Sequence, residues 1–76
     1  MAHKKSADNQ ALGRAVQEVR VERGLSQEAL AARVELARST VGAIERGEVN
    51  VLYTVILRLA AGLDVTVAEL LTRAGL

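Results

Sequence analysis

The chain has 76 residues with a formal net charge of +1 at pH 7, one histidine and no cysteine. A chain of this length forms one small domain, and the lack of cysteine excludes a disulfide framework. The sequence also lacks clustered histidines or carboxylates and a phosphate-binding glycine loop, and His3 lies near the terminus. We therefore expect a protein that is not an enzyme and that needs no cofactor, metal or small-molecule ligand.

Hydrophobic residues make up 50% of the chain, Tyr53 is its only aromatic residue, and it contains no proline. With many Ala, Leu, Glu and Arg residues, this composition favours an all-α domain with an aliphatic core. No run of 18 apolar residues occurs, and no hydrophobic stretch follows the N-terminal charges. We expect neither a membrane span nor a signal peptide, and a cytoplasmic location.

The first part of the chain divides into a polar arm and an amphipathic helix. Residues 1–9 are polar and without periodicity, which predicts a flexible N-terminal arm, with the domain proper over residues 10–76. A helix is predicted from about Ala11 to Arg23, closed by Gly24. Its buried stripe follows the i, i+3, i+4, i+7 spacing and consists of Leu12, Ala15, Val16 and Val19.

Residues 25–47 read as two short helices joined by a tight turn. Ser26 is a suitable N-cap for the first of them. The apolar period breaks at residues 35–37, and the next helix begins at about Arg38, buries Val41 and Ile44, and stops at Gly47. Two helices of this length with a three-residue turn predict a helix-turn-helix.

Two further helices complete the predicted domain. The fourth covers Leu52 to Leu63 and is apolar around most of its circumference, whereas Thr66 and Glu69 form a capping box that opens the fifth. A symmetric dimer explains the surplus apolar surface, although the same residues could thicken the domain core instead. The candidate dimer seam consists of Val51, Leu52, Val55, Val65 and Val67.

Three segments carry a resemblance to a known family: GLSQEALAAR (residues 24–33), RSTV (residues 38–41) and IERG (residues 44–47). They resemble the phage repressor and Cro-like (XRE-type) helix-turn-helix family, over roughly residues 11–73. The resemblance implies a compact five-helix, lambda-repressor-like fold. The connector after Gly47 lacks the proline that many relatives carry, as it does in some restriction-modification controller proteins of this family.

The resemblance also implies how the domain would bind DNA, with the third helix in the major groove. The residues implied to meet base edges are Arg38, Ser39, Gly42 and Ala43. The residues implied to contact phosphates are Gln27, Thr40, Arg46 and Asn50. A structural ion pair between Arg20 and Glu45 is implied as well. Residues 1–47 contain eight basic and six acidic side chains, a surplus consistent with this face meeting DNA, and the N-terminal arm could follow phosphates or the minor groove.

Two positions depart from the family pattern. Glu35 stands where glycine usually makes the turn, and Ala37 stands where a polar residue usually caps the third helix, each at a cost of roughly 1 kcal/mol. The function expected from the resemblance is a homodimeric transcriptional regulator, such as a repressor, that binds a pseudo-palindromic operator in double-stranded DNA and regulates its own gene. The alternative is a protein-interaction module of the same fold, an antitoxin or adaptor, that binds its partner through the fourth and fifth helices.

Overall fold

The computed structural model of the protein describes residues 6–76, and this part of the chain consists of five α-helices without a β-strand. The predicted all-α, five-helix fold with a helix-turn-helix is confirmed. The helices are α1 (Ala7–Glu22), α2 (Gln27–Val34), α3 (Arg38–Glu45), α4 (Tyr53–Leu63) and α5 (Val67–Ala74).

Helix α1 begins earlier than its apolar period predicts. The Ser6 hydroxyl accepts a hydrogen bond from the backbone N–H of Asn9 at 3.1 Å, and Asp8 lies in the first turn, where a negative charge suits the helix dipole. The predicted arm over residues 1–9 is therefore wrong for residues 7–9, which are helical because a polar cap, and not the apolar stripe, defines the start. The rest of the arm, residues 1–5, lies outside the described residues.

One hydrophobic core joins all five helices. Helix α1 packs against α3 and α5, while α2 packs against α3 and α4. The side chains that are almost completely buried are those of Val16, Leu30, Val41, Leu59, Leu63 and Leu70. All are aliphatic, as the composition predicts.

The turn between α2 and α3 has the two departures that the sequence predicts. Glu35 adopts the left-handed conformation (φ 58°, ψ 43°), and Ala37 occupies the N-cap position of α3 without a side-chain hydrogen bond. Farther along, Asp64 is also left-handed (φ 59°), and Thr66 and Glu69 form the predicted capping box. Helix α4 begins at Tyr53, one residue later than predicted, because Leu52 is its extended N-cap residue.

Candidate nucleic-acid interface

Helix α3 has one face in the core and the other at the surface. Val41 and Ile44 are buried, whereas Arg38, Ser39 and Thr40 are exposed and Ala43 is half-exposed. The exposed side chains are short apart from that of Arg38, so the helix surface is open to close approach. The structure therefore brings three of the four predicted base-contacting residues, and Thr40, to one accessible surface.

A buried polar cluster holds α3 against α1 and α2. The Glu45 carboxylate accepts hydrogen bonds from Arg20 Nε at 2.7 Å and Arg20 Nη2 at 3.1 Å, and from Gln27 Nε2 at 2.9 Å. Arg20 also donates to the Leu25 carbonyl oxygen at 2.8 Å. The ion pair implied by the resemblance is thus present, and its side chains are only 11% and 2% exposed. Bidentate geometry of this kind fixes the orientation of α3 relative to its two neighbours.

Helix α1 also contacts α3 through a residue that sequence reasoning did not single out. A Cβ atom at Gly13 would lie 2.2 Å from the carbonyl oxygen of Ile44 and 2.7 Å from that of Glu45. Only a residue without a side chain allows the two backbones to approach this closely. The available signal was a glycine inside a helix, where it lowers helix propensity and therefore calls for a packing reason.

Arg38 is the first residue of α3, and within residues 6–76 its side chain makes no hydrogen bond or ion pair. A positive charge in this position opposes the helix dipole, and the first turn of α3 contains no acidic residue to balance it. Within residues 6–76 the guanidinium therefore has no side-chain or backbone partner that ties it to the fold. It is available for an anionic or hydrogen-bond-accepting partner.

Gly42, the fourth residue implied to meet base edges, is not exposed. It is buried, and Arg46 Nη1 would lie 3.0 Å from a Cβ atom built on it. The Arg46 side chain runs back along α3 over this position, as side chains four residues on do. Gly42 therefore presents little surface of its own. A base could reach it only after Arg46 moves.

Arg46 is paired with Glu48 at the C-terminal end of α3. Arg46 Nε lies 3.0 Å from Glu48 Oε2, and Arg46 Nη2 donates to Glu48 Oε1 at 3.1 Å. This hydrogen bond, together with the charge of Glu48, raises the pKa of Arg46 above its ordinary value. Arg46 is exposed, but it would exchange an existing partner for any phosphate.

The two remaining predicted phosphate contacts differ in their surroundings. Gln27 is half-buried at the start of α2, and its amide is bound to Glu45. Asn50 is exposed in the connector after α3, where its Oδ1 accepts a hydrogen bond from Asn9 Nδ2. The start of α1 therefore lies next to this connector.

The candidate seam residues lie in more than one place. Val51, Leu52 and Val55 line a groove of about 230 Å³, together with Leu36 and Thr40. Val65 instead lines a groove of about 540 Å³ with side chains of α1 and α5, among them Val19 and Arg73. Val67, at the start of α5, is half-buried. Val65 therefore lines a different groove from Val51, Leu52 and Val55.

Two exposed apolar residues of α4, Tyr53 and Leu57, were not among the candidate dimer residues. Leu52 is 72% exposed and Tyr53 67%, and Leu57 follows one turn later. Their spacing gives α4 an apolar outer face, which explains why this helix is apolar around most of its circumference. The sequence shows a surplus of apolar residues in this helix, but the surplus alone does not tell which of them face the core and which face outward.

Other kinds of site are not indicated in residues 6–76. This part of the chain contains no group of His, Cys, Asp or Glu side chains arranged to hold a metal ion. None of its helices is long and apolar enough to cross a membrane.

Comparison with known proteins agrees with the geometry. A family model described as helix-turn-helix matches residues 16–70. The control protein C.SmaI of Serratia marcescens is 46% identical over 52 residues, which are 68% of this chain and 62% of that protein, so the chain matches less than two thirds of this relative. The restriction-modification controller protein C.AhdI of Aeromonas hydrophila has a crystal structure that superimposes with a TM-score of 0.83, at 46% identity, covering 86% of this chain and 98% of that one. The tetramer of the controller protein C.Esp1396I in complex with its natural 35 base-pair operator gives a TM-score of 0.81 at 25% identity, covering 93% of this chain and 99% of that one.

Proposed function

The chain belongs to the helix-turn-helix family, and we propose that it is a transcription regulator that binds an operator in double-stranded DNA as a homodimer, in the cytoplasm. The observation that carries the proposal is Arg38, which is exposed at the start of α3 and has no side-chain partner within residues 6–76, on a helix that Glu45 holds in a fixed orientation. The operator complex of the related C.Esp1396I favours this function over that of an antitoxin or adaptor.

Arg38 is the proposed base reader. Its guanidinium can donate two parallel hydrogen bonds to O6 and N7 of guanine, a contact worth about 1–3 kcal/mol in discrimination. Ser39 would donate or accept with little selectivity, and Ala43 would contact a thymine methyl group. With one long side chain among short ones, much of the remaining specificity would come from the shape and bending of the operator.

Phosphate contacts would fix the register of α3 without reading sequence. The proposed donors are Gln27 and Thr40 on the two helices of the motif, with Arg46 and Asn50 after α3. Gln27 lies at the N-terminus of α2, where backbone N–H groups and the helix dipole favour an anion. The buried cluster around Glu45 holds its side chain in place.

A dimer would place two copies of α3 in successive major grooves, about 34 Å apart. The proposed contact surface includes the exposed Leu52 with Val51 and Val55. Covering this apolar cluster with a second copy removes it from water, which favours the dimer. Val65 and Val67 belong to the proposed surface only if the dimer extends to α5. We propose further that the chain regulates expression and acts on its own gene.

Fluorescence anisotropy tests this proposal. The labelled probes are the duplex directly upstream of the chain's own gene and a random duplex of equal length, each at two salt concentrations. Arg38→Ala is compared with Arg14→Ala, because Arg14 is also exposed and unpaired within residues 6–76 but lies on α1 beside Glu18 and Glu22. The two variants therefore remove the same charge from different surfaces.

The proposal predicts tight, salt-sensitive binding of the upstream duplex by the wild type. Arg38→Ala should lose about tenfold or more of the preference over random DNA, as expected for a bidentate base contact. Arg14→Ala should keep that preference. Equal binding of both duplexes by the wild type would exclude autoregulation, and equal effects of the two variants would exclude Arg38 as the base reader.

A further inference from the structure

Glu48 occupies the donor edge of Arg46 that a phosphate group would use. An arginine binds a carboxylate or a phosphate best through two neighbouring N–H groups that point in parallel. In this structure Nε and Nη2 of Arg46 both contact the Glu48 carboxylate, at 3.0 and 3.1 Å. A phosphate must therefore displace Glu48 or accept a poorer contact.

The second edge of the guanidinium is restricted by α3 itself. Nη1 lies over Gly42, only 3.0 Å from the position that a Cβ atom would take there. The absence of a side chain at Gly42 allows the guanidinium to lie this close to the helix. Gly42 and Glu48 together keep Arg46 close to the protein surface, although its side chain is 59% exposed.

The negative charge of Glu48, like this geometry, disfavours the binding of a phosphate by Arg46. Its carboxylate lies two residues after an arginine at the end of α3, on the connector that also carries Asn50. A negative charge beside a phosphate contact repels the DNA backbone and cancels the attraction of the neighbouring cation. The carboxylate therefore offsets part of the positive charge that Arg46 alone would present to DNA.

We propose that Glu48 limits the binding of Arg46 to DNA phosphates and so lowers the affinity of the protein for DNA of any sequence, an inference that rests on the proposed function. Base reading by Arg38 is not affected, because Arg38 lies at the opposite end of α3. Glu48 is in this sense a positioning residue of the DNA interface. Its removal strengthens binding instead of weakening it.

The size of the effect follows from the energetics of exposed ion pairs. Breaking such a pair changes an equilibrium by roughly two- to fivefold. Each additional phosphate contact steepens the dependence of log affinity on log salt concentration by about 0.9. Glu48→Gln should therefore bind a random duplex about two- to fivefold more tightly at low salt, with a slope steeper by about 0.9.

The experiment is a double-mutant cycle on the full chain. Wild type, Glu48→Gln, Arg46→Ala and the double variant are titrated with a random-sequence duplex over a range of salt concentrations. Glu35→Gln is the matched control, since it removes an equal charge from the helix-turn-helix and its side chain makes no hydrogen bond or ion pair within residues 6–76. Circular dichroism checks that each variant is folded at the temperature of the titration.

The expected result is a gain in affinity for Glu48→Gln that disappears when Arg46 is alanine, with a smaller gain for Glu35→Gln. A gain of equal size in the Arg46→Ala background, or in Glu35→Gln, would overturn the inference, because it would reflect net charge alone. Unchanged binding by Glu48→Gln would overturn it as well. If the wild type shows no salt-dependent binding to any duplex, the proposed function fails too, whereas loss of the coupling alone leaves that function standing.

Discussion

Arg58 on α4 donates a hydrogen bond from Nη2 to the carbonyl oxygen of Glu35 at 2.9 Å, and it also contacts the carbonyl oxygen of Val34. These carbonyl groups end α2, where no further backbone N–H is available to them, and a positive charge suits the negative end of the helix dipole. Glu35 is the left-handed residue of the turn. Helix α4 therefore stabilises a turn that lacks its usual glycine.

Replacing Arg58 with alanine should lower the free energy of unfolding by about 1–2 kcal/mol, because two carbonyl groups lose a charged donor. Urea denaturation followed by circular dichroism measures this change. Arg14→Ala, which removes no hydrogen bond within residues 6–76, should stay within about 0.5 kcal/mol of the wild type. Equal losses for the two variants would show that the Arg58 contacts contribute nothing specific.

Replacing Glu35 with glycine should raise the free energy of unfolding by about 0.5–1 kcal/mol, since glycine adopts a positive φ without the steric cost of a Cβ atom. The contact from Arg58 uses the backbone carbonyl and is unaffected by this change. Glu28→Gly, inside α2, should have the opposite effect of about 1 kcal/mol. A loss of stability in Glu35→Gly would contradict the prediction.

Replacing Gly13 with alanine should destabilise the protein by about 1–3 kcal/mol, although alanine is the better helix former. The new methyl group would lie 2.2 Å from the Ile44 carbonyl oxygen, so α1 and α3 must separate. Thermal unfolding detects the change. Gln17→Ala, on the exposed side of the same helix, should leave the midpoint unchanged or raise it slightly.

Replacing Glu45 with alanine should cost about 3–5 kcal/mol, because the nearly buried guanidinium of Arg20 would lose its partner. For a domain of this size, such a loss leaves a large unfolded fraction at 37 °C. Glu48→Ala removes one partner of an exposed ion pair and should cost no more than about 1 kcal/mol. Denaturant midpoints of the two variants compare a nearly buried pair with an exposed one.

The capping box of α5 should make stability depend on pH in the acidic range. The backbone N–H of Thr66 donates to the Glu69 carboxylate at 2.9 Å, and this hydrogen bond lowers the pKa of Glu69. Because the folded-state pKa lies below the unfolded one, the ionised cap stabilises the fold at and above neutral pH, and the contribution disappears as the pH falls through the folded pKa.

Glu69→Gln isolates this contribution, since glutamine can accept the same hydrogen bond without titrating. The difference in unfolding free energy between wild type and Glu69→Gln, measured from pH 7 down to pH 3, should shift in favour of the variant as the pH falls. A difference that is constant over this range would contradict the assignment of the lowered pKa to the cap.

Local signals allowed much of the fold to be predicted from the sequence. Ser26 and Thr66 cap their helices by accepting hydrogen bonds from backbone N–H groups three residues away, and Gly24 and Gly47 have the positive φ that ends a helix. Each of these effects involves neighbours along the chain, so the sequence alone contains the information. The start of α1 was missed because Ser6, a signal of the same kind, precedes the apolar stripe.

The candidate site could be predicted only in part, for the same physical reason. Arg38, Ser39 and Thr40 are exposed because the period of α3 places Val41 and Ile44 in the core, and that period is written in the sequence. Nothing in the sequence indicated that Gly13 would contact the end of α3, because that contact joins residues far apart along the chain. The sequence also did not predict that Val65 and Val51 would line different grooves.

The sequence by itself determined the five helices, most of their ends and the face of α3 that points outward. The tertiary structure decided that Arg23 donates to the carbonyl oxygen of Leu63 and Arg58 to that of Glu35. It also decided that Gly13 allows α1 to pack closely on α3, and which apolar residues of α4 remain exposed. Helix formation and capping depend on interactions within a few residues, whereas these contacts join residues more than twenty positions apart, and their geometry exists only once the core has packed.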